Sequence, residues 1–538
     1  MYLLLNTLWF IWMLKYVLFW LYLWQLKEYH IGRFFDHFRT HKGKKLLFSF
    51  EQILKLVLLG LFVMDSGLFN PLFFVTFLVY LGESLIFLRN VYLRNFKKPI
   101  KTSKTMFLAL ASLAVVILFF GKMSNIEDKL QPVWLLVFDI LAPLIISIVV
   151  LIFQPFFVFA RNNILRKASK KIKGFKGLTV IGITGSYGKT TTKEFLTTIL
   201  SKKFKVAGTK KHQNSEIGIA KCILNDLNSQ HQIFVVEMGA YKKGGIKLLA
   251  DIVKPKIGIV TGVNEQHLAL FGSLENLLSA EGGGELAESL PKDGALIVNG
   301  DNKYCLDLLM HSSNLPANQE KKYSTSNKTI DSDIWTEEIT VKKDSISLVA
   351  VDKNKNLANF TANVLGGHNV LNLLGAILVA NELGMNFEEI SDACKNIKQE
   401  QAGMILNQGK LGIDIIDSSY SANPDGVYAD LNYLSIFPNK KAIIMPCLIE
   451  LGLKSAEIHQ KIGKKIGEIC GLAIVTSKDK FEDMKKGAME AGMKEKNILL
   501  CDNPQEIFSA ITSFCKSGDV VLLEGRIPSK VIKLLTNE

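Results

Sequence analysis

ITGSYGKTTTKEF, residues 183–195, gathers Gly185, Gly188, Lys189 and the threonines Thr190, Thr191 and Thr192 directly after the apolar, β-rich residues 178–183. Beyond it, Phe195, Leu196, Ile199 and Leu200 recur at helical spacing. Strand, glycine-rich turn and helix in that order describe a phosphate-binding loop. Glycines let the backbone curl so that its N–H groups point inward, and the start of the helix adds its positive end. Gly185, Ser186 and Gly188 would line the curl. Lys189 would set a point charge at the β- and γ-phosphates, and Thr190, with Thr191 beside it, a hydroxyl at Mg²⁺. The strict G-x-x-x-x-G-K-[ST] spacing is not met, because Ile183 stands at its first glycine; the pattern here is G-x-x-G-x-x-G-K-T-T.

This loop sits in a chain made of two kinds of sequence. At 538 residues the protein exceeds one ordinary core. Trp9, Trp12, Trp20, Trp24 and Trp134, five of the six tryptophans, lie in an apolar first part that is poor in acids, and residues after about 178 read as soluble α/β sequence. Cys222, Cys305, Cys394, Cys447, Cys470, Cys501 and Cys515 all belong to the second part and form no CxxC pair, which implies a reducing compartment and no structural zinc. The net charge of +14 does not indicate nucleic acid, because the basic residues of the first part cluster between apolar segments, as the cytoplasmic flanks of membrane helices do.

A span needs about 20 predominantly apolar residues, and five segments qualify as candidates: 3–24, 48–64, 68–88, 105–121 and 133–157. The first is too long, too aromatic and too poor in N-terminal cations for a cleaved signal peptide. Lys27, Arg33, Arg39, Lys42, Lys44 and Lys45 follow the first span; Arg89, Arg94, Lys97, Lys98, Lys101 and Lys104 follow the third. The loops at 65–67 and 122–131 are nearly neutral, and Arg161, Arg166, Lys167, Lys170, Lys171, Lys173 and Lys176 follow the fifth span. By the positive-inside rule the soluble part therefore faces the cytoplasm. Glu83 and Asp139 fall inside predicted spans, where an ionisable group is costly and calls for either a function or a packing partner.

In the soluble part, strand-like runs at 178–183, 233–236, 257–260 and 296–298 alternate with helical patterns, as in a mostly parallel sheet covered on both faces. Residues 314–355 are more polar and alternate, which predicts a small antiparallel excursion. The alternation restarts at 413–416, 442–445, 472–475, 498–500 and 520–523, which predicts a separate Rossmann-like domain facing the first across a cleft.

GITGSYGKTTT resembles the ATP-binding loop of the Mur ligases, the ATP-dependent amide ligases of peptidoglycan precursor synthesis. Further stretches resemble the same family in the same order: NSEIG (214–218), VVEMGA (235–240), NEQHLALFGSLEN (264–276), LGGHNVLNLLGAILVANELG (365–384), IIDSSYSANPDG (415–426), and LIELG (448–452) followed by His459. The set is most similar to the branch that adds D-alanyl-D-alanine to a UDP-muramoyl tripeptide, and it covers roughly residues 178–538. The resemblance implies that Glu237 and His267 join Thr190 as Mg²⁺ ligands, that His368, Asn369 and Asn372 lie at the adenine, and that Asp417 contacts the ribose. Tyr420 and Asn423 share the loop of Asp417.

Two positions depart from the family pattern. The family carries a lysine, carbamylated into a carboxylate, after its histidine segment. In SLENLLSAEGGGELAESL (273–290) no lysine occurs; one register puts Glu281 there and the other Gly283. Glu281 would supply a carboxylate directly. The family's Gly-Arg near the C-terminal domain boundary is here Gly403-Met404, and a thioether does not replace a guanidinium. Arg526 lies in LLEGRIP, where the family often has Lys-Gly-Ser.

The fold expected is thus an α-helical membrane region (1–160), a basic linker (161–177), a P-loop central ATP-binding domain (178–402) and a Rossmann-like C-terminal domain (403–538). The expected activity is formation of an amide bond using ATP and Mg²⁺, with Lys189, Glu237, His267 and Glu281 as catalytic residues. A carboxylate on a UDP-linked or lipid-linked muramoyl peptide becomes an acyl phosphate, and an amino acid or a dipeptide such as D-Ala-D-Ala attacks it. Membrane spans occupy the place of the family's small UDP-holding domain. The competing readings are a membrane-associated polyglutamate synthetase and a nucleotide-binding scaffold that has lost catalysis.

Overall fold

The computed structural model describes residues 1–64, 69–93, 95–123, 125–210, 213–311, 315–326, 330–419, 422–449 and 451–536. The predicted loop at 65–67, Arg94 and Tyr420 lie outside the described residues. The chain divides into two compact units, Met1–Asn162 and Asn163–Glu538.

The first unit consists of α1 (Tyr2–Leu26), α2 (Ile31–His37), α3 (His41–Leu47), α4 (Phe50–Met64), α5 (Phe69–Tyr92), α6 (Ser103–Met123) and the portion of α7 (Gln131–Lys173) up to Asn162. Five helical segments are long and apolar enough to cross a membrane: Tyr2–Leu26, Gly43–Met64, Phe69–Tyr92, Ser103–Met123 and Asp128–Lys173. The tryptophans of α1 point into the bundle, where Trp9 Nε1 donates to the Leu135 carbonyl at 3.1 Å and Trp24 Nε1 to Ser147 Oγ at 3.0 Å. Glu83 and Asp139 share a partner that the sequence did not point to. Lys55, fully buried, reaches Asp139 at 2.6 Å and Glu83 at 2.8 Å, and the Tyr80 hydroxyl donates to Asp139 at 3.1 Å. A charge in an apolar bundle persists when it is paired and hydrogen-bonded, and these groups tie α4, α5 and α7 together.

Residues 161–173, expected from the sequence to be part of a linker, are the end of α7, because Leu165, Ala168 and Ile172 recur at helical spacing and are buried in the core of the second unit. That unit holds two sheets. The first contains β1 (Thr179–Thr184), β2 (Val206–Gly208), β3 (Ile233–Glu237), β4 (Ile257–Val260), β5 (Ala295–Asn299), β6 (Glu320–Ser324), β7 (Ile334–Val341), β8 (Ile346–Asp352) and β9 (Leu357–Ala362), in the order β2-β3-β1-β4-β5-β6-β7-β8-β9. It is parallel through β7; β8 and β9 supply the expected antiparallel excursion and extend the same sheet. The second contains β10 (Ile405–Gln408), β11 (Asp414–Ser418), β12 (Lys441–Met445), β13 (Leu472–Val475), β14 (Ile498–Leu500) and β15 (Val520–Glu524), in the order β10-β11-β15-β12-β13-β14, with β10 antiparallel.

In the first sheet β1 lies between β3 on one side and β4 on the other. The chain leaves β1 for β2, beyond β3, and later returns to β4 on the opposite side. A crevice at the carboxyl ends of β1, β3 and β4 is where such a reversal places a ligand.

Candidate active site

Fully buried β1 residues hand the chain to Gly185 at the carboxyl end of the sheet, and α8 (Lys189–Leu200) leaves that end with Phe195, Leu196, Ile199 and Leu200 buried. Gly185 and Gly188 have φ of 139° and 76°. A Cβ on Gly185 would collide with Thr261 Oγ1, and one on Gly188 would lie 2.5 Å from Asn372 Oδ1. The curl needs both glycines, for conformation and for room. The chain after β4 pins it: Ser186 N donates to the Gly262 carbonyl at 2.7 Å, and the Thr261 hydroxyl donates to the carbonyls of Tyr187 and, at 3.2 Å, Thr184. Lys189 folds over the loop, its ammonium on the Gly185 carbonyl and 3.4 Å from that of Ser186.

On one side of the loop, the strand register sets Ile183 of β1 against Glu237, the last residue of β3. Glu237 accepts from Thr190 Oγ1 at 2.9 Å through one oxygen and from Asn214 Nδ2 at 2.9 Å through the other; Lys193 is 3.8 Å away. Lys193 is almost fully buried, donates to the Thr209 carbonyl at 2.8 Å, and was missed in the sequence although it stands one helical turn after Lys189. Asn214 belongs to the NSEIG stretch, whose pattern alone assigns it no role.

On the other side, His267 Nδ1 lies 3.0 Å from each oxygen of Glu281, and Ser186 Oγ donates to Glu281 Oε2 at 3.0 Å. Glu281 is 3% exposed. Burial pushes its carboxyl upward, but the His267 bond, the Lys189 charge and the Ser186 hydroxyl outweigh it, and the net shift is below the ordinary glutamate value. The glycines after Glu281 explain how it gets there. Gly283 takes φ 93° and packs where a Cβ would be 2.5 Å from Val260 Cγ2, so the turn closes against the end of β4 and Glu281 carries the side chain that meets His267. Glu285, in the same run, acts elsewhere, accepting from the backbone N–H groups of Gly244 and Lys247 at 2.6 and 2.8 Å.

Of the three expected metal ligands, Thr190 and Glu237 therefore fall together, and His267 lies with Glu281. Among the described residues no three His, Cys, Asp or Glu side chains converge on one point. A hydroxyl and a carboxylate at the lip of a phosphate loop are the hard oxygen donors that Mg²⁺ takes, with its remaining positions filled by phosphate oxygens and water. The donor set fits the ion.

Asn369 and Asn372 brace the loop from behind. Asn372 Oδ1 accepts from Thr192 Oγ1 at 3.3 Å, Asn372 Nδ2 donates to Asn369 Oδ1 at 3.0 Å, and Asn369 Nδ2 donates to the Leu365 carbonyl at 2.7 Å. His368, at the N-cap of the helix Asn369–Glu382, has a buried Nδ1 with no hydrogen-bond partner. Thr191 is half-buried in the first turn of α8. Asp417, near the end of β11, is half-buried and accepts from Ser419 N at 2.9 Å. Asn264 Nδ2 donates to Asp425 at 2.8 Å, joining the segment after β4 to the helix Pro424–Ser435, whose N-cap is Asn423. Met404 is buried among Leu365, Ile416 and Val427, a place that a guanidinium could not occupy unpaired, and Arg526 is exposed. His459 is wholly buried, accepting from Leu448 N at 2.9 Å and lying 2.6 Å from the Ser455 carbonyl, which gives it a part in holding its loop.

Known proteins are similar to this chain in sequence and fold. Residues 183–380 match the Mur ligase middle domain and residues 404–527 the Mur ligase glutamate ligase domain. The UDP-N-acetylmuramoyl-tripeptide–D-alanyl-D-alanine ligase of Synechocystis is 29% identical over 352 residues, covering 64% of this chain and 71% of its own. The Bacillus subtilis ligase of the same name is 26% identical over 351 residues, covering 65% and 73%. Among solved structures, MurF ligase from Thermotoga maritima in complex with ADP is similar with a TM-score of 0.58 at 25% identity, over 70% of this chain and 83% of that one. MurF from Acinetobacter baumannii shares the fold with a TM-score of 0.62 at 22% identity, over 70% and 80%. With both domains matched across more than half its length, the chain belongs to the Mur ligase family, as a homologue of the UDP-N-acetylmuramoyl-tripeptide–D-alanyl-D-alanine ligases.

Proposed function

We propose that Asn163–Glu538 uses ATP to form an amide bond on a muramoyl peptide of cell-wall synthesis. The observation that carries this reading is the phosphate loop with Lys189 over it, flanked by Thr190–Glu237 on one side and by His267–Glu281 on the other. Both flanks hold anionic or hydroxyl oxygens where a triphosphate brings its own negative charge, an arrangement that makes sense with divalent cations between them. Mg²⁺, held by Thr190 and Glu237, would supply charge neutralisation at the β- and γ-phosphates.

In the proposed reaction, a substrate carboxylate oxygen attacks the γ-phosphorus, the bond to the β-phosphate oxygen breaks, and ADP leaves an acyl phosphate. A free amine then attacks the acyl carbon, phosphate departs with the C–O electron pair, and the amine loses a proton. Lys189 and the N–H groups of the curl hold the phosphates as charge moves toward the leaving oxygen. Glu281 does the work that the resemblance assigns to a carbamylated lysine, and it orients His267. We assign the adenine edge to His368–Asn372 and the ribose to Asp417, by resemblance. Through its first unit the enzyme sits in the inner membrane with its ligase domains facing the cytoplasm, and meets its acceptor at the bilayer surface on a lipid-linked precursor.

The test is ADP release by the purified full chain with Mg²⁺ and ATP, a UDP-linked or lipid-linked muramoyl tripeptide, and D-Ala-D-Ala. Release that requires both acceptor and amine is expected. Nucleotide binding without turnover would support the scaffold reading, in keeping with Met404 in place of arginine. A clear preference for the UDP-linked tripeptide would overturn the lipid-linked acceptor.

A further inference from the structure

No acidic residue stands between Asp139 and Glu194, whereas Arg166, Lys167, Lys170, Lys173 and Lys176 fall in that interval. The structure sorts these charges onto one face. Leu165, Ala168 and Ile172 turn one side of α7 into the core of the second unit. At about 100° per residue, Arg166, Lys167, Lys170 and Lys173 project from the opposite side, and all four are exposed. Lys171, at the flank, is engaged with the Leu224 carbonyl at 2.9 Å and does not belong to the stripe.

The stripe is also uncompensated. Among the described residues, none of Arg166, Lys167, Lys170, Lys173 or Lys176 makes an ion pair, although Lys203, Lys210, Lys254 and Lys256 elsewhere on this unit do so with Glu389, Asp226, Asp251 and Asp293. The same helix begins, at Gln131, with a segment apolar enough to cross a membrane. We propose that Arg166, Lys167, Lys170 and Lys173 form a binding surface for the headgroups of anionic phospholipids. Basic side chains immediately beyond a span attract such lipids, and the attraction fades within a Debye length. The four side chains extend over about 10 Å of helix, a footprint that suits a few headgroups. Between Arg166 and Lys173 no aromatic residue stands to stack a nucleobase, as single-stranded nucleic acid would require. This surface differs from the bare topological signal of positive charge because it persists in the folded, inserted protein and holds particular lipids there.

The experiment uses the full chain, reconstituted in nanodiscs of equal phosphatidylcholine and phosphatidylglycerol, re-extracted in neutral detergent and analysed for retained lipid by native mass spectrometry. Wild type is expected to retain phosphatidylglycerol over phosphatidylcholine by severalfold, with the preference declining at high salt. R166Q/K170Q and K167Q/K173Q, each checked for unchanged ADP binding, should each lower the preference at least about twofold, and the charge-conserving R166K/K170R should keep it. Equal retention of the two lipids by wild type, unchanged preference in both glutamine variants, or displacement of the lipid by a single-stranded oligonucleotide would overturn the proposal.

Discussion

Nδ1 of His267 is equidistant, at 3.0 Å, from the two oxygens of Glu281, a carboxylate that also accepts the Ser186 hydroxyl of the phosphate loop. One buried side chain thus aligns a histidine and a loop from different segments. Glu281→Gln keeps the size and removes the charge; kcat should fall about 100-fold or more with ADP affinity changed far less, as read by steady-state kinetics and calorimetry. The pH dependence follows from the lowered carboxyl. A depressed folded-state value contributes stability above the ordinary glutamate range and loses it as pH falls through the folded value. The difference in unfolding free energy between wild type and Glu281→Gln should stay level from pH 8 to pH 5 and shrink at more acid pH.

The carboxylate of Glu281 is part of the chain, so nothing has to be added to make it. Turnover should be the same in buffer stripped of dissolved carbon dioxide and in buffer with bicarbonate. A rate that rises with bicarbonate would contradict this role for Glu281.

Gly188 takes φ 76° with Asn372 Oδ1 2.5 Å from the position of a Cβ. Gly188→Ala adds left-handed strain of about 1–2 kcal/mol and a contact that Asn372 must yield to. ADP affinity should drop roughly tenfold or more, measured by calorimetry, while Gly384→Ala, at a helix end with open space around it, costs stability but leaves affinity alone.

Lys55, Glu83 and Asp139 form the charged centre of the helical unit. Lys55→Met strands both carboxylates and should cost about 3 kcal/mol, whereas Asp139→Asn leaves Lys55 paired with Glu83 and should cost less, both read as a lower unfolding midpoint in detergent. The double variant should lose less than the sum of the two, because Lys55 and Asp139 contact each other directly and either single variant already breaks that pair.

Glu524 closes β15 fully buried, and its carboxyl is held well above the ordinary range by burial and by the neighbouring Asp430, which accepts from Ser418 Oγ at 2.6 Å. An acid raised in the folded state costs stability as pH climbs past its unfolded value. Glu524→Gln imitates the protonated form. It should raise the melting temperature at pH 7–8, with the gain disappearing near pH 4.

Much of this protein is written in local pattern. The runs at 257–260 and 472–475 coincide with β4 and β13, and those at 233–236 and 520–523 fall one residue short of β3 and β15, since buried parallel strands between helices leave short apolar runs that periodicity detects. The curl at 185–188 is equally legible, because only glycine tolerates its backbone and its crowding. The chain by itself also determined that five segments are apolar enough to span a membrane. Tertiary structure decided everything that depends on distance between remote residues. It brought Glu281 to His267 and Ser186 beside a turn pressed on Val260, gave Glu83 and Asp139 a common lysine, and set Lys193 beside Glu237. It also turned 161–173 from an expected linker into a helix with one face in the core. Periodicity carries information only over neighbouring residues, whereas a buried charge is defined by whichever side chain folding brings within about 3 Å, and that partner stood 14 residues away for Glu281 and 84 for Asp139.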